Sequence, residues 1–487
     1  MLYSILHLFF YYKLLIIRCL SSLARAVLRE GAENETKESK MIRTVFILVF
    51  FTLFSIFNGT RASAQMTLHD CMEYAVSKST RMRIQQAASD DARLDRRNRI
   101  LEVFTPEVSA SVNGYYTFGR AIDPQTNPYI NTTTFYNNYD AGAGIYLFNG
   151  FQAVNNYRIS KMALLIAGSE EEKTEAEVCL AVMEAYYNVV YYKRLVEVQE
   201  DMVRTAQQSF EKARRQEELG QKGHADVVQM EADLAEREYS RITTANEYEK
   251  QKLTLEDLMF WPEGEELEIV TDPAALAAAP DLVGAEPAEA VVDFALDHNP
   301  IVKIADWSAR KARLELSTSQ WQLLPSLRLS AGWSTSYFAY PGQEMTPFRD
   351  QFKLNGGEYV SLYLSIPIWN RLSRQTEVAK KRNAYTRASA ELDQKRRDLE
   401  SEVRKAVQDR DGSAAAWAQA QKKAESQTEA YHLNLKKLEQ GLISPLEFQT
   451  ANNNYLKACA DELDSQFKYL IKQAVVKYYY GVTYLNQ

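Results

Sequence analysis

The chain has 487 residues, of which 46% are hydrophobic and 25% charged, which is enough for about two to four globular domains. Its formal net charge of −7 at pH 7 is small and spread along the chain, which argues against nucleic acid as a partner. The cysteines form no close pair, which argues against a disulfide framework or a zinc site; they are Cys19, Cys71, Cys179 and Cys459.

Residues 41–64 have the pattern of an export signal. Residues 45–57 are an unbroken apolar run that is too short to span a bilayer. Ala62-Ser63-Ala64 follows as a small-residue cleavage site, so residues 41–64 are predicted to be a signal peptide. Because a complete signal begins at Met41, residues 1–40 are predicted to be an artefact of the assigned start site. The alternative is that residues 1–40 form an N-terminal anchor. The mature chain is predicted to begin at Gln65.

The mature sequence contains a pattern that occurs twice. Residues 65–260 and 288–487 each run helix, strand, loop, strand, very long helix, tight turn and long helix. A linker, residues 261–287, separates the two repeats. LFNGF at 147–151 corresponds to IWNRL at 368–372, and the other matching segments keep a similar offset. We interpret this as an internal duplication.

The strands are predicted at 106–118 and 139–149 in the first repeat and at 325–338 and 358–369 in the second. Apolar and polar residues alternate along each, the pattern of a membrane barrel strand. The alternative is an ordinary sheet with one face on a soluble core. Since single-chain barrels need about eight strands or more, the four strands of one chain must be joined by strands of other chains. Three chains would supply twelve strands. The intervening loops, 121–138 and 341–357, are predicted to be exposed.

The long helices are predicted at about 150–219 and 371–440. Apolar residues recur every seven positions, which indicates helices packed side by side, although a plain coiled-coil rod has the same pattern; they include Val182, Val189, Val196 and Val203, and later Trp417, Ala424, Tyr431 and Leu438. A helix of this length measures about 105 Å. Asp411-Gly412-Ser413 predicts a local bend or unwinding.

The chain reverses at two helical tips, predicted at 219–226 and 440–446. Asp226 is expected to cap the first returning helix. In the second tip, Ser444 and Glu447 have the spacing of a capping box. A surface for another protein's helices and a simple hairpin turn both fit these segments. The residues expected to matter are Gly220, Gly223, Asp226, Gly441, Ser444 and Pro445.

The sequence contains no catalytic constellation. Its five histidines are scattered and none has metal-ligand spacing. No P-loop, nucleophile elbow or dinucleotide fingerprint is present. Thr67 and Asp70 fit a helix-start box, and Cys179 fits a packing position inside a helix. We therefore predict no enzyme activity, no cofactor and no metal.

The duplication, the two strand-to-helix junctions and the glycine-containing tips together resemble the TolC-like outer-membrane efflux proteins over residues 66–487. The first junction departs from the family pattern because Tyr146 stands where a proline is usual. The resemblance implies a mainly α-helical fold with a β-barrel portion: a homotrimer shares one twelve-stranded barrel in outer-membrane lipid and continues as a helical tunnel through the periplasm.

The implied function is the exit duct of a tripartite efflux pump or of type I secretion, passive towards small molecules or polypeptides. A periplasmic adaptor would meet the tips, and an inner-membrane transporter would act through that adaptor. Family members are often gated near the tips; the charged candidates here are Arg214, Arg215, Glu217, Glu218, Glu439 and Glu447. The alternatives are a periplasmic adaptor and a coiled-coil envelope scaffold without transport.

Overall fold

The computed structural model describes residues 65–122, 128–270, 287–340 and 344–487. The predictions for the signal peptide and for residues 1–40 lie outside these ranges, as does most of the predicted linker. Within the described ranges, no helix combines the length and the hydropathy of a membrane-spanning helix.

The first repeat contains these elements in chain order: β1 (Gln65–Met66), α1 (Leu68–Lys78), α2 (Thr80–Phe104), β2 (Glu107–Ile122), β3 (Tyr129–Phe148), α3 (Gln152–Glu218) and α4 (His224–Met259). The short strand β4 (Glu268–Ile269) follows in the linker. The second repeat contains α5 (Ala288–His298), α6 (Pro300–Trp321), β5 (Ser326–Ala339), α7 (Phe348–Leu354), β6 (Gly357–Ser365), α8 (Ser373–Glu439) and α9 (Pro445–Tyr479), and a 3₁₀ turn (Tyr484–Asn486) follows. α3 and α8 each have 67 residues, or about 100 Å of helix.

The helix starts follow local sequence rules. At α1, the backbone N–H of Thr67 donates to Asp70 Oδ2 at 3.0 Å, and the backbone N–H of Asp70 donates to Thr67 Oγ1 at 3.3 Å. This confirms the predicted box. The hydrogen bonds from Thr67 lower the pKa of the Asp70 carboxyl below its ordinary value. In the second repeat, Asn299 Oδ1 caps α6 by accepting from the Ile301 N–H at 2.9 Å.

The long strands form one antiparallel sheet with the order β2-β3-β5-β6 among the described residues. Val108 pairs with Ala143, Ala143 with Ala331, and Ala331 with Val360, so one apolar row crosses all four strands. Residues opposite each other share a face, and every second residue along a strand returns to it. The predicted alternation therefore gives one continuous apolar face, and Val360 on this face is 78% exposed.

The strands and loops of the sheet differ from their predicted bounds at several points. β3 begins at Tyr129, so residues 129–138 belong to a strand and not to the predicted loop. Their threonines and aromatic residues favour extended backbone, and they pair in register with the last ten residues of β2. β6 ends at Ser365, earlier than the predicted residue 369. The second predicted loop contains a helix, α7.

The long helices pack as two hairpins, α3 with α4 and α8 with α9. Trp417, Ala424, Tyr431 and Leu438 are all buried, as their seven-residue spacing predicts. Along α3 the same spacing gives buried Val182 and Val189, whereas Val196 and Val203 are only half-buried. α8 stays helical through residues 411–413, so the predicted unwinding there is wrong.

The main hydrophobic core surrounds the middle of α3. Cys179 lies there among packed residues and is fully buried, which confirms its predicted packing role. Burial raises the pKa of its thiol to about 12, so the group stays protonated at neutral pH and is a poor nucleophile. β1 pairs in parallel with β4 beside this core. A second cluster, centred on Val403 of α8 and Val291 of α5, is the core of the other repeat.

The junctions from β3 to α3 and from β6 to α8 share one backbone conformation. Gly150 and Phe151 are both left-handed, with φ of 64° and 57°. Arg371 and Leu372 repeat this at 56° and 60°. Two consecutive left-handed residues are rare outside glycine. Both repeats therefore turn from strand to helix through the same unusual backbone conformation.

Candidate functional site

Both helical tips turn on a left-handed glycine. Gly220 has φ of 70° and Gly441 has φ of 73°, a conformation that glycine adopts without steric cost. The capping box of α9 is confirmed: the Glu447 N–H donates to Ser444 Oγ at 3.2 Å, and the Ser444 N–H donates to Glu447 Oε2 at 3.1 Å. Pro445 takes the first helical position, as expected.

The predicted cap at the first tip is wrong. Gly223 is the N-cap of α4 and makes no side-chain capping bond. Asp226 lies in the first turn of that helix, and its backbone N–H donates to the Gly223 carbonyl oxygen at 3.1 Å. The Asp226 carboxylate therefore contributes through the positive end of the helix dipole and not through a cap.

The two tips of one chain pack on each other. A tip cluster of buried side chains joins the hairpins; it consists of Ala213, Val227, Met230, Tyr431, Leu438 and Phe448. Tyr431 also stacks on Tyr455 with ring centroids 4.7 Å apart. Burial raises the pKa of the Tyr431 phenol, so this ring stays neutral at physiological pH. The tips thus form one unit within the chain.

The candidate gate charges lie near this cluster but mostly form local pairs. Arg214 Nε is 3.7 Å from Glu218 Oε1 on the same helix. Glu217 Oε1 is 2.7 Å from His224 Nδ1 across the first turn. These pairs are exposed and contribute little to stability. Arg215 lies exposed in the last turn of α3, and the Glu447 side chain serves the α9 cap.

Glu439 makes the one contact between hairpins in this set. Its Oε1 lies 3.7 Å from Lys212 Nζ on α3. Beside this pair, a groove of about 190 Å³ opens between α3 and α8, and its lining includes Gln208, Lys212, Gln216, Leu435 and Glu439. The groove therefore has polar walls of both charge signs.

Arg237 forms a buried polar link between the hairpins and was not predicted from the sequence. Its side chain is only 5% exposed. Nη1 donates to Asn453 Oδ1 at 3.0 Å, and Nη2 donates to Asp233 Oδ1 at 3.2 Å. With its amide oxygen turned towards the guanidinium, Asn452 accepts from Nε and Nη2 at 3.2 and 3.3 Å. A buried arginine thus fastens α4 to α9.

A sequence signal for Arg237 exists. Met230, Arg237 and Thr244 recur every seven residues along α4 and are all buried. The heptad pattern therefore places Arg237 on the packed face. Its partner Asn453 lies 216 residues away in sequence, so only the fold identifies that contact.

Large apolar side chains remain exposed on the tips. Leu219 and Leu442 flank the two turn glycines and are 71% and 68% exposed, and Leu446 follows in the first turn of α9. Exposed leucines grouped at the end of a rod otherwise rich in charge indicate a surface for a partner.

The sheet supplies the other working end of the chain. Gly142 and Gly332 lie opposite each other on the polar face. A Cβ on Gly332 would come within 2.7 Å of the Ala141 carbonyl oxygen and 2.8 Å of the Tyr359 hydroxyl. The glycine pair therefore lets Tyr359 lie across the strands, where its hydroxyl donates to Asp140 Oδ2 at 3.3 Å. This face is polar, in contrast to the apolar face behind it.

A mostly helical chain with duplicated hairpins and a four-stranded sheet defines the class of outer-membrane channel proteins. A profile described as "Outer membrane efflux protein" matches residues 84–259 and 291–481, which is more than half of the chain. The chain belongs to this family.

Individual proteins give the same result. The alkaline protease secretion protein AprF of Pseudomonas aeruginosa is 22% identical over 334 residues, which cover 68% of this chain and 67% of AprF. The channel protein CusC superposes with a TM-score of 0.70 at 15% identity. This alignment covers 86% of this chain and 92% of the CusC chain. The outer-membrane protein VceC of Vibrio cholerae superposes with a TM-score of 0.68 at 14% identity. This alignment covers 84% of this chain and 95% of the VceC chain.

The family membership confirms the predicted fold class, location and function. The chain is an outer-membrane protein that extends into the periplasm and serves as an exit duct for efflux. The periplasmic adaptor and the envelope scaffold are set aside as alternatives.

Proposed function

We propose that three copies of this chain close a twelve-stranded barrel in the outer membrane and continue as one periplasmic tunnel. The observation that carries the proposal is the sheet itself. Its order leaves an outer edge on β2 and another on β6 among the described residues, and each unpaired backbone group in hydrocarbon costs several kcal/mol. Joining β6 of one copy to β2 of the next removes both edges.

The duct has no chemical step. The apolar row of Val108, Ala143, Ala331 and Val360 faces lipid, and the opposite face, with Asp140 and Tyr359, faces water inside the barrel. The cargo, small molecules or polypeptides, diffuses through a wide polar path. Energy comes from an inner-membrane transporter that acts through a periplasmic adaptor.

The assembly is tested on protein extracted from outer membranes in mild detergent. Light scattering should give the mass of three chains, and gel mobility should change on heating as the trimer dissociates. A stable, membrane-inserted monomer contradicts the proposal.

The tips are the docking surface for the adaptor. Leu219, Leu442 and Leu446 supply exposed apolar contacts, and the groove beside Lys212 and Glu439 supplies a polar one. An adaptor's helical hairpin is a fitting partner, since apolar anchors with a polar rim are the usual anatomy of a protein interface.

Leu442→Glu tests this docking. Leu442 is exposed in the chain, so the substitution should leave trimers intact while efflux or secretion, and crosslinking to the adaptor, fall. Gln221→Glu is the control, because it adds the same charge at an exposed position of the other tip. Equal loss of transport in both variants, or normal transport in Leu442→Glu, argues against docking through the leucines.

The gate lies at the same end of the tunnel. The hairpins of one chain must separate for the tip to widen. The tip cluster holds them together, and the polar contacts between them include the Arg237 link and the Lys212–Glu439 pair. The buried Arg237 link is the stronger, because exposed pairs such as Lys212–Glu439 contribute at most about 1 kcal/mol.

A further inference from the structure

Among the described residues, the upper end of β5 has β3 on one side but no strand on the side that faces β6. The last pair between β5 and β6 is Ser334 with Gly357, yet β5 continues to Ala339. Backbone groups beyond that pair therefore need other partners within a sheet that lies in lipid or at its surface.

Side chains of α7 and its C-cap supply those partners. Gln351 is 4% exposed; its Oε1 accepts from the Phe338 N–H at 3.1 Å and its Nε2 donates to the Phe338 carbonyl at 3.0 Å. Asn355 Nδ2 donates to the Ser336 carbonyl at 2.7 Å. These amides satisfy the edge of β5 as a strand's backbone would, so α7 takes the place of a longer β6.

The aromatic side of α7 belongs to the apolar face of the sheet. Phe352 contacts Tyr139 and Trp333, with ring centroids 5.1 and 5.5 Å apart, and Phe348 contacts Tyr337 at 5.3 Å. Trp333 and Tyr337 alternate along β5 in phase with Ala331, which lies in the apolar row. The rings of α7 therefore pack against the sheet from the outer side of the proposed barrel.

The two edges that would meet between copies differ in length. β2 has 16 residues and β6 has 9, so at least seven residues of β2 extend past β6 in any register. The upper part of β2, residues 116–122, carries exposed apolar groups: Tyr116 is 57% and Phe118 80% exposed. Both belong to the apolar face, because Tyr116 pairs with Phe135, which is in phase with Tyr139.

We propose that α7 is an intersubunit contact that packs against residues 116–122 of a second copy of the chain and so completes the seam where β6 is too short. This inference rests on the proposed trimeric barrel. Leu354, which is 78% exposed within one chain, and the upper half of β2 become mutually buried when the barrel closes.

Cysteine crosslinking tests the contact in intact outer membranes. Leu354→Cys or Arg349→Cys is combined in turn with Tyr116→Cys, Phe118→Cys and Ile122→Cys, in a Cys459→Ser background because Cys71 and Cys179 are buried. A disulfide needs Cα atoms within about 7 Å. A crosslink between copies is recognised by a dimer or trimer band on denaturing gels, which a crosslink within one chain does not produce.

We expect oxidation to shift the monomer band of at least one pair to dimer and trimer bands, which reductant reverses. Leu354→Cys with Ile84→Cys on α2 is the control and should stay monomeric on denaturing gels, because Ile84 lies below the sheet. Native trimers without a crosslink from any pair overturn the seam contact and leave the trimeric duct standing. Absence of native trimers overturns both.

Discussion

The proposed gate rests on Arg237, the buried side chain that links the two hairpins. Its side chain is 5% exposed and that of Asp233 is 15% exposed, so Arg237→Met leaves a buried carboxylate without its counter-charge. Removing one partner of such a pair costs about 3–5 kcal/mol. We expect Arg237→Met trimers to melt at lower temperature and to conduct more ions in planar bilayers.

Arg204→Met is the control for that substitution. Arg204 is 70% exposed and pairs with Asp201 on the same helix, so its loss should cost at most about 1 kcal/mol. Arg237→Met trimers with the conductance and melting temperature of the unmodified protein would exclude a role for Arg237 in gating.

The two junctions predict opposite effects of exchanging glycine. A Cβ on Gly150 would lie 2.4 Å from the Trp321 carbonyl oxygen, so Gly150→Ala should lower the thermal midpoint of the trimer. Arg371 holds φ of 56° with a full side chain, which costs about 1–2 kcal/mol. Arg371→Gly removes this strain, which stabilises the folded chain, but glycine also raises the entropy of the unfolded chain, which destabilises it. Because the two effects oppose each other, the thermal midpoint of Arg371→Gly should stay close to or above that of the unmodified protein. Circular dichroism melts check both, and a larger loss in Arg371→Gly contradicts the strain argument.

Residue-level prediction from sequence succeeds where the partners are close along the chain. Ser444 and Glu447 are three residues apart, and their capping box follows from spacing alone. Asp226 was predicted to be the N-cap of the first returning helix. It is not, because Gly223, three residues earlier, is the N-cap. The Arg237 contact depends on how two hairpins pack, which no local pattern encodes.

At the scale of elements, the register of the sheet predicts which face tolerates charge. Leu362 lies near the middle of β6 on the apolar face, opposite Leu329, and Ser361 lies next to it on the polar face. Leu362→Arg should cost about 2–4 kcal/mol if it meets lipid near the midplane. Ser361→Arg should be milder because it meets water. The yield of trimer in the outer membrane measures both, and an equal or reversed order contradicts this orientation of the sheet.

The strands and helices were not equally predictable. Seven-residue spacing identified the packed face of α8 down to Leu438, since a helix repeats its contacts over many turns. In β3, residues 129–138 resemble a loop because they are rich in Asn and Thr, and pairing with β2, and with β5 from Phe135 onward, keeps them extended. α7 is short, and its place depends on contacts of the Gln351 side chain with the backbone of β5, which no local pattern indicates.

At the scale of the whole molecule, the two working ends are separated by continuous helix. α3 and α8, of 67 residues each, hold the sheet and the tips about 100 Å apart. The tip cluster and the sheet share no residue. The duct is therefore expected to assemble through one end and to dock and open through the other.

Gly441→Val tests this division of labour. Gly441 has φ of 73°, and no other atom lies within 4 Å of the position of an added Cβ, so the strain is in the backbone and not in packing. A β-branched residue should distort the second tip, while the barrel still closes. We expect trimers in normal amount in the outer membrane, with efflux or secretion and adaptor crosslinking reduced.

Gly412→Ala is the matched control, because Gly412 lies inside α8 with open space around it. Alanine should stabilise that helix by about 1 kcal/mol and leave transport unchanged. If Gly441→Val trimers assemble and transport normally, the tip does not dock the adaptor. If they fail to assemble, the tip turn is required for folding of the whole chain, and the two ends are not independent.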